Sequence, residues 1–268
     1  MKKSYLNNMK FEKLSIKEKL TIYAFSCKLF FKSRKERTYD IINADYDLDA
    51  WNQDFEKIDW KTHYKNLTEK VIFGYNGGVF KGKRKEFERA YFMMLSEFFS
   101  GFKNESIVEL GCGLGVHLFY LYDLGFKKLE GYDLSNNAIL RAKQHSKDEN
   151  ISIGFETHDL NKTFRKNEIE NKIVFTHACL EQCHLFMSNI LKNIIDGNPK
   201  MVINFEVDYD SAPTNVKKYF DACGYQNNLV KELRSMEKNG SIEIVSIQKL
   251  PLSLSAFNKL SAIIWKIN

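Results

Sequence analysis

The chain has 268 residues, 44% of them apolar, enough to fill one large α/β core with an appended element. No apolar run reaches the length of a membrane helix, and the lysine-rich start lacks the features of a secretory signal, so a cytoplasmic protein is expected. The net charge of +6 sits entirely in residues 1–100, which hold 20 Lys/Arg against 14 Asp/Glu; that asymmetry suits nucleic acid, a membrane surface or an anionic small molecule and does not choose among them.

Ser15-Ile-Lys-Glu18 has the form of a capping box, and the apolar residues after it predict a helix from about Ser15 to Lys32. Tyr39 to Trp60 has no dominant period and reads as a loop with short helical pieces. Phe73 to Gly82 carries four glycines in ten residues, which predicts a mobile loop or tight turns. Phe87, Tyr91, Met94, Leu95 and Phe98 then recur three and four apart, so Lys83 to Ser100 is predicted as an amphipathic helix before the sheet.

From Ser106 onward, short apolar runs at Ile107 to Leu110, Leu129 to Tyr132, Ile151 to Phe155, Ile173 to Phe175 and Met201 to Phe205 alternate with helical patterns. Such alternation implies βαβ units and a parallel sheet. Ser241 to Lys249 and Leu260 to Ile267 are β-prone runs joined by a short connection containing Pro251, and they read as a terminal antiparallel pair. The expected fold is α/β: a Rossmann-like seven-stranded sheet, mostly parallel with an antiparallel C-terminal strand. Residues 1–100 are expected to form a helical extension serving as lid and acceptor-binding region, and residues 101–268 the main domain. The five cysteines, odd in number and without a C-x-x-C pair, argue against a disulfide framework or a structural zinc site.

The strongest chemical signal is Ile107-Val-Glu109-Leu-Gly111-Cys-Gly113-Leu-Gly115, a buried strand running into a glycine-rich turn and a helix. Glycines there let the backbone approach a ligand closely. A dinucleotide fingerprint would place its third glycine at Val116, so a nicotinamide cofactor is disfavoured.

This segment resembles the first motif of the class I S-adenosylmethionine-dependent methyltransferases. The resemblance implies that Glu109 meets the amino end of the cofactor's methionine portion and that Gly111, Cys112, Gly113 and Gly115 line its path. Asp133, at the end of the next strand, can accept hydrogen bonds from both ribose hydroxyls, with Leu134 beside it. Asp159 and Leu160 resemble the family's adenine-binding turn, although an Asx turn without a ligand is an alternative for Asp159. Thr176 completes the implied cofactor set.

Phe175 to His184 leaves the fourth strand, where the family brings methyl group and acceptor together. Gln182 stands where a histidine is usual in small-molecule members, so His177, Glu181 and His184 are all candidates for a proton-abstracting base, with capping or packing roles as the alternatives. In-line displacement at a sulfonium carbon demands alignment and, for a hydroxyl acceptor, removal of a proton; it requires no metal. Lys81, Lys83 and Arg84 near the lid are either a solvated helix face or an anion site, with Tyr75 and Asn76 as further acceptor contacts; Arg34 to Arg37 is a second basic run.

The expected acceptor is a small anionic or sugar-like metabolite methylated on oxygen. The chain is also similar to small methyltransferases that tailor bacterial surface polysaccharides, including capsular phosphoramidate groups. An RNA methyltransferase using the basic extension, or a scaffold that binds cofactor without turnover, are the rival readings.

Overall fold

The computed structural model describes residues 6, 9–29, 69–254, 256–257 and 259–268. Arg34 to Arg37, Tyr39 to Trp60 and the expected end of the first helix at Lys32 lie outside these residues. No helix among the described residues is long and apolar enough to cross a membrane.

The first helix, α1, spans Ile16–Leu29. Its capping box is reciprocal: Glu18 N–H donates to Ser15 Oγ at 3.2 Å, and Ser15 N–H donates to Glu18 Oε2 at 2.8 Å. The glycine-rich segment is not a mobile loop. It is a hairpin of β1 (Lys70–Tyr75) and β2 (Gly78–Lys83), turned at Asn76 and Gly77 with φ of 45° and 83°. Two successive positive φ values are what a two-residue hairpin turn needs to match strand twist, and Asn-Gly is the pair that adopts them most readily. The extension is therefore helical only in part. Helix α2 (Arg84–Glu97) follows directly and buries Phe87, Ala90, Tyr91, Met94 and Leu95.

The main sheet then alternates with helices: β3 (Ile107–Leu110), α3 (Val116–Asp123), β4 (Leu129–Asp133), α4 (Asn136–Asp148), β5 (Gly154–Thr157), β6 (Ile173–His177), α5 (Met187–Asp196) and β7 (Met201–Val207). Two further helices, α6 (Thr214–Cys223) and α7 (Leu229–Lys238), precede β8 (Ile242–Lys249), β9 (Leu252–Ser253) and β10 (Leu260–Ile267). The seven strands lie in the order β5-β4-β3-β6-β7-β10-β8. β10 runs antiparallel to both its neighbours, and the other pairings are parallel, as expected for this fold.

The connection through Pro251 does more than link strands. Its β9 pairs with β1, at Gly74 with Ser253 and Tyr75 with Leu252, and completes a second sheet ordered β2-β1-β9. The end of the chain thus clasps the N-terminal hairpin.

Strand alternation sorts the core onto two faces. Ile107, Ile173, Phe175 and Phe205 pack toward α2 and α3; Val108, Leu110, Val174 and Val202 pack toward α5 and α7. A polar ladder crosses three strands on the second face: Trp265 Nε1 donates to Asn204 Oδ1 at 2.7 Å, and Asn204 Nδ2 donates to Thr176 Oγ1 at 3.0 Å. These buried groups are satisfied within the sheet, as burial demands.

Candidate functional site

At the carboxyl ends of β3, β4 and β6 lies a cavity of about 630 Å3, the place where ligands gather in open α/β sheets. The turn after β3 forms its floor. Gly111 and Gly113 adopt φ of 73° and 51°, conformations that side chains disfavour. A Cβ on Gly111 would stand 2.1 Å from Cys179 Sγ, so the turn has no room for a side chain there. Gly111 and Cys112 N–H both donate to Tyr132 O, at 2.7 and 3.0 Å.

Asp133 braces the same turn. Its Oδ2 accepts from Gly113 N–H at 2.7 Å and its Oδ1 from Ser135 N–H at 2.8 Å. A carboxylate oxygen can accept more than one hydrogen bond, and Asp133 lines the cavity. Ser135, not Asp133, caps α4, by accepting from Ala138 N–H at 3.1 Å. Asp159 forms the Asx turn, accepting from Asn161 N–H at 2.9 Å, and it also lines the cavity with Leu160 and Leu134.

Glu109 shares the α2/α3 face of β3 with Ile107 and is 1% exposed. Its Oε1 lies 2.6 Å from His117 Nδ1, while Oε2 has no hydrogen-bond partner among the described residues. Burial, and after it the charge of Asp133, holds the Glu109 carboxyl well above the usual range, and burial lowers His117 to about 4. An orphaned acidic oxygen beside a side-chain-free turn fits the ammonium end of an S-adenosylmethionine molecule.

His177 lies on the same face, because Glu109 pairs with Phe175 and His177 is two residues further along β6. Its Nε2 stands 2.9 Å from Tyr91 Oη, and its ring centroid is 4.3 Å from that of His117. Burial, then repulsion from His117, depresses its pKa well below that of a free imidazole. Buried His177 is therefore held neutral, with Nε2 within hydrogen-bond reach of Tyr91 Oη. Burial also raises the Tyr91 phenol strongly, so it stays protonated.

The segment beyond β6 is held in a strained form. Ala178 has φ 49°, a value rare outside glycine. Glu206, fully buried on β7, accepts from the N–H groups of Cys179 and Leu180 at 3.0 Å each and of Glu181 at 3.1 Å. Burial pushes Glu206 up to about 7, although these hydrogen bonds pull it back.

Of the sequence candidates, Glu109, Gly111, Cys112, Gly113, Asp133, Leu134, Asp159, Leu160, His177 and Arg84 line this one cavity. Others do not. Gly115 begins α3 with φ 77°, and a Cβ there would meet the Phe155 ring at 2.6 Å, so it serves helix–strand packing. Thr176 points into the opposite face. Glu181 is buried, and neither it nor His184 lies on the cavity wall. Tyr75, Asn76, Lys81 and Lys83 also lie off the wall. Lys81 is paired with Glu18 at 2.5 Å, Lys83 with Glu86 at 3.7 Å, and Arg84 with Glu69 and Glu88 at 2.5 and 2.6 Å. These acids offset the cationic charge that an anion site would need.

Sequence reading missed Tyr91, His117 and Glu206. Asn204 and Glu206 are polar residues within the otherwise apolar β7, and that is the signal by which a buried polar role could have been found. His117 gave only its place in the first turn of the helix that follows the glycines.

Residues 107–196 match the family model of a methyltransferase domain. No curated protein matches the sequence. Among solved structures, the PH0226 protein from Pyrococcus horikoshii OT3 is similar with a TM-score of 0.54 and 15% identity, over 68% of this chain and 91% of that one. Magnesium protoporphyrin IX methyltransferase (ChlM) from Synechocystis PCC 6803, with bound SAH, gives 0.52 and 14% over 69% and 85%. Geranyl diphosphate C-methyltransferase from Streptomyces coelicolor A3(2) gives 0.52 and 14% over 68% and 79%. At these identities the likeness shows a shared fold. The domain match makes the protein a methyltransferase, an enzyme whose cofactor is S-adenosylmethionine.

Proposed function

We propose that the protein transfers a methyl group from S-adenosylmethionine to an oxygen of a small acceptor held under α2 and the β1–β2 hairpin. The observation that carries this reading is the meeting of Glu109, Asp133 and His177 around one cavity. Glu109 would take the ammonium group, the turn from Gly111 to Gly113 the methionine backbone, Asp133 the ribose, and Asp159 and Leu160 the adenine. When bound, the cofactor supplies a methyl group activated by its sulfonium charge.

The acceptor wall is formed by Val71, Phe87, Phe92 and Leu254 with the Arg84–Glu88 pair. It suits a molecule with an apolar body that presents a hydroxyl toward His177. His177 takes the hydroxyl proton, and Tyr91 fixes the imidazole ring. The expectation of an anionic or surface-polysaccharide acceptor draws on two basic runs; Arg34 to Arg37 lies outside the described residues, and Lys81, Lys83 and Arg84 are each paired with an acid, so the proposal stops at a small-molecule acceptor. Calorimetry with S-adenosylhomocysteine, followed by a labelled-methyl screen of hydroxyl compounds graded from polar to apolar, tests it. Binding with transfer to apolar-bodied hydroxyl compounds is the expected result; failure to bind S-adenosylhomocysteine overturns the reading.

A further inference from the structure

We infer that His117 is a positioning residue for the methyl donor: it forms with Glu109 a carboxyl–imidazole pair that holds one shared proton and gives it up when the donor's ammonium group docks on Glu109. This rests on the donor site proposed above.

The geometry isolates the pair. Glu109 Oε1 and His117 Nδ1 are 2.6 Å apart, and Glu109 Oε2 has no hydrogen-bond partner among the described residues. The ionisable groups around them come from every neighbouring element: His177 from β6, with Tyr91 of α2 behind it; Asp133 from β4; Cys112 from the glycine turn; Cys179 from beyond β6. None of these supplies a standing positive charge. Arg84, elsewhere on the cavity wall, is committed to Glu69 and Glu88.

An ionised Glu109 beside a neutral imidazole would place a net negative charge in this buried setting without a counter-ion, an arrangement that desolvation strongly opposes. With one more proton the pair is neutral. The upward displacement of Glu109 and the lowering of His117 select the same form, a protonated carboxyl donating to Nδ1 while Nε2 carries the imidazole hydrogen.

An ammonium group at Oε2 supplies the missing counter-charge and favours the carboxylate. The carboxyl proton then passes from Oε1 to Nδ1, and the Nε2 hydrogen leaves to solvent. The neutral pair and the cationic ligand thereby become an anionic pair, the same cation and one free proton. An imidazole can accept from the carboxyl before docking and donate to the carboxylate afterwards, by exchanging tautomers. Phenylalanine can do neither.

The test is calorimetric titration of the full-length protein with S-adenosylhomocysteine in phosphate and in Tris at the same pH, since their different ionisation heats reveal the protons exchanged. About one proton should be released per ligand where the pair is protonated, with affinity rising by up to about tenfold per pH unit there. Glu109→Gln should bind at least about tenfold more weakly and release no proton. His117→Phe should move the release to higher pH, because the carboxylate loses its donor, and His117→Gln, which keeps a neutral donor, should restore much of the affinity. Buffer-independent heats for the wild type from about pH 5.5 to 9, or equal proton release by Glu109→Gln, would overturn the inference. Absence of any wild-type binding would instead overturn the donor site itself.

Discussion

The proposed donor wall of the cavity is nearly continuous in sequence, running from Glu109 through Asp133 with one added turn at residues 159–161, whereas the proposed acceptor wall gathers Val71 from the hairpin, Phe87 from α2, His177 from β6 and Leu254 just after β9. The first is largely backbone, held by local hydrogen bonds to Tyr132 O and Asp133. The second consists of side chains brought together by long-range pairing. A wall of the first kind is specified by spacing alone. A wall of the second kind exists only once the whole sheet is built.

The largest effect should come from the donor wall. Gly111→Val forces a branched side chain into φ 73° and onto Cys179; S-adenosylhomocysteine affinity should drop by about a hundredfold or more, measured calorimetrically alongside circular dichroism to confirm the fold. On the acceptor wall, His177→Gln should lower kcat by roughly 10²- to 10⁴-fold while S-adenosylhomocysteine affinity stays within about twofold. Tyr91→Phe should cost less, about tenfold. Equal losses of cofactor affinity and turnover in His177→Gln would erase the distinction between the walls.

Glu206 sharpens the comparison through pH. Its folded pKa of about 7 stands above the ordinary 4.5, so its contribution to stability is full below about pH 4.5 and is lost as pH rises through about 7. The loss is on the order of 3 kcal/mol for a shift of this size. Urea unfolding across that window should show wild-type stability falling, and Glu206→Gln should flatten the slope while being less stable at acid pH. The smallest effect should be at Lys81: Lys81→Ala should change acceptor KM by less than about twofold, because its partner is Glu18 rather than a ligand. A tenfold rise would return the anion site to consideration.

Much of the donor wall was legible because Glu109, Gly111 and Gly113 act within one strand and one turn, and Asp133 ends the next strand. The seven-stranded sheet was legible for the same reason, as period-two and helical patterns alternate from Ile107 onward. Of the two readings of Phe73 to Gly82, a mobile loop or tight turns, the structure takes the second, at Asn76-Gly77; the flanking strands were hidden by glycine density. Helices α6 and α7 were passed over despite Val216 with Phe220 and Leu229 with Leu233 at one-turn spacing. His117, Tyr91 and Leu254 could not be assigned to one site, since their meeting depends on which elements stack.

The clasp between β1 and β9 gives the molecule a built-in order of assembly. Ser253 lies 179 residues beyond its partner Gly74, as 253 − 74 shows, and contacts that distant form late because loop closure must precede them. During synthesis the hairpin leaves the ribosome long before the strand that completes its sheet, while β3, α3 and β4 can already associate. The nascent chain should therefore be able to build the glycine turn and the strands around it before Leu254, beside β9, arrives to close the cavity over the hairpin.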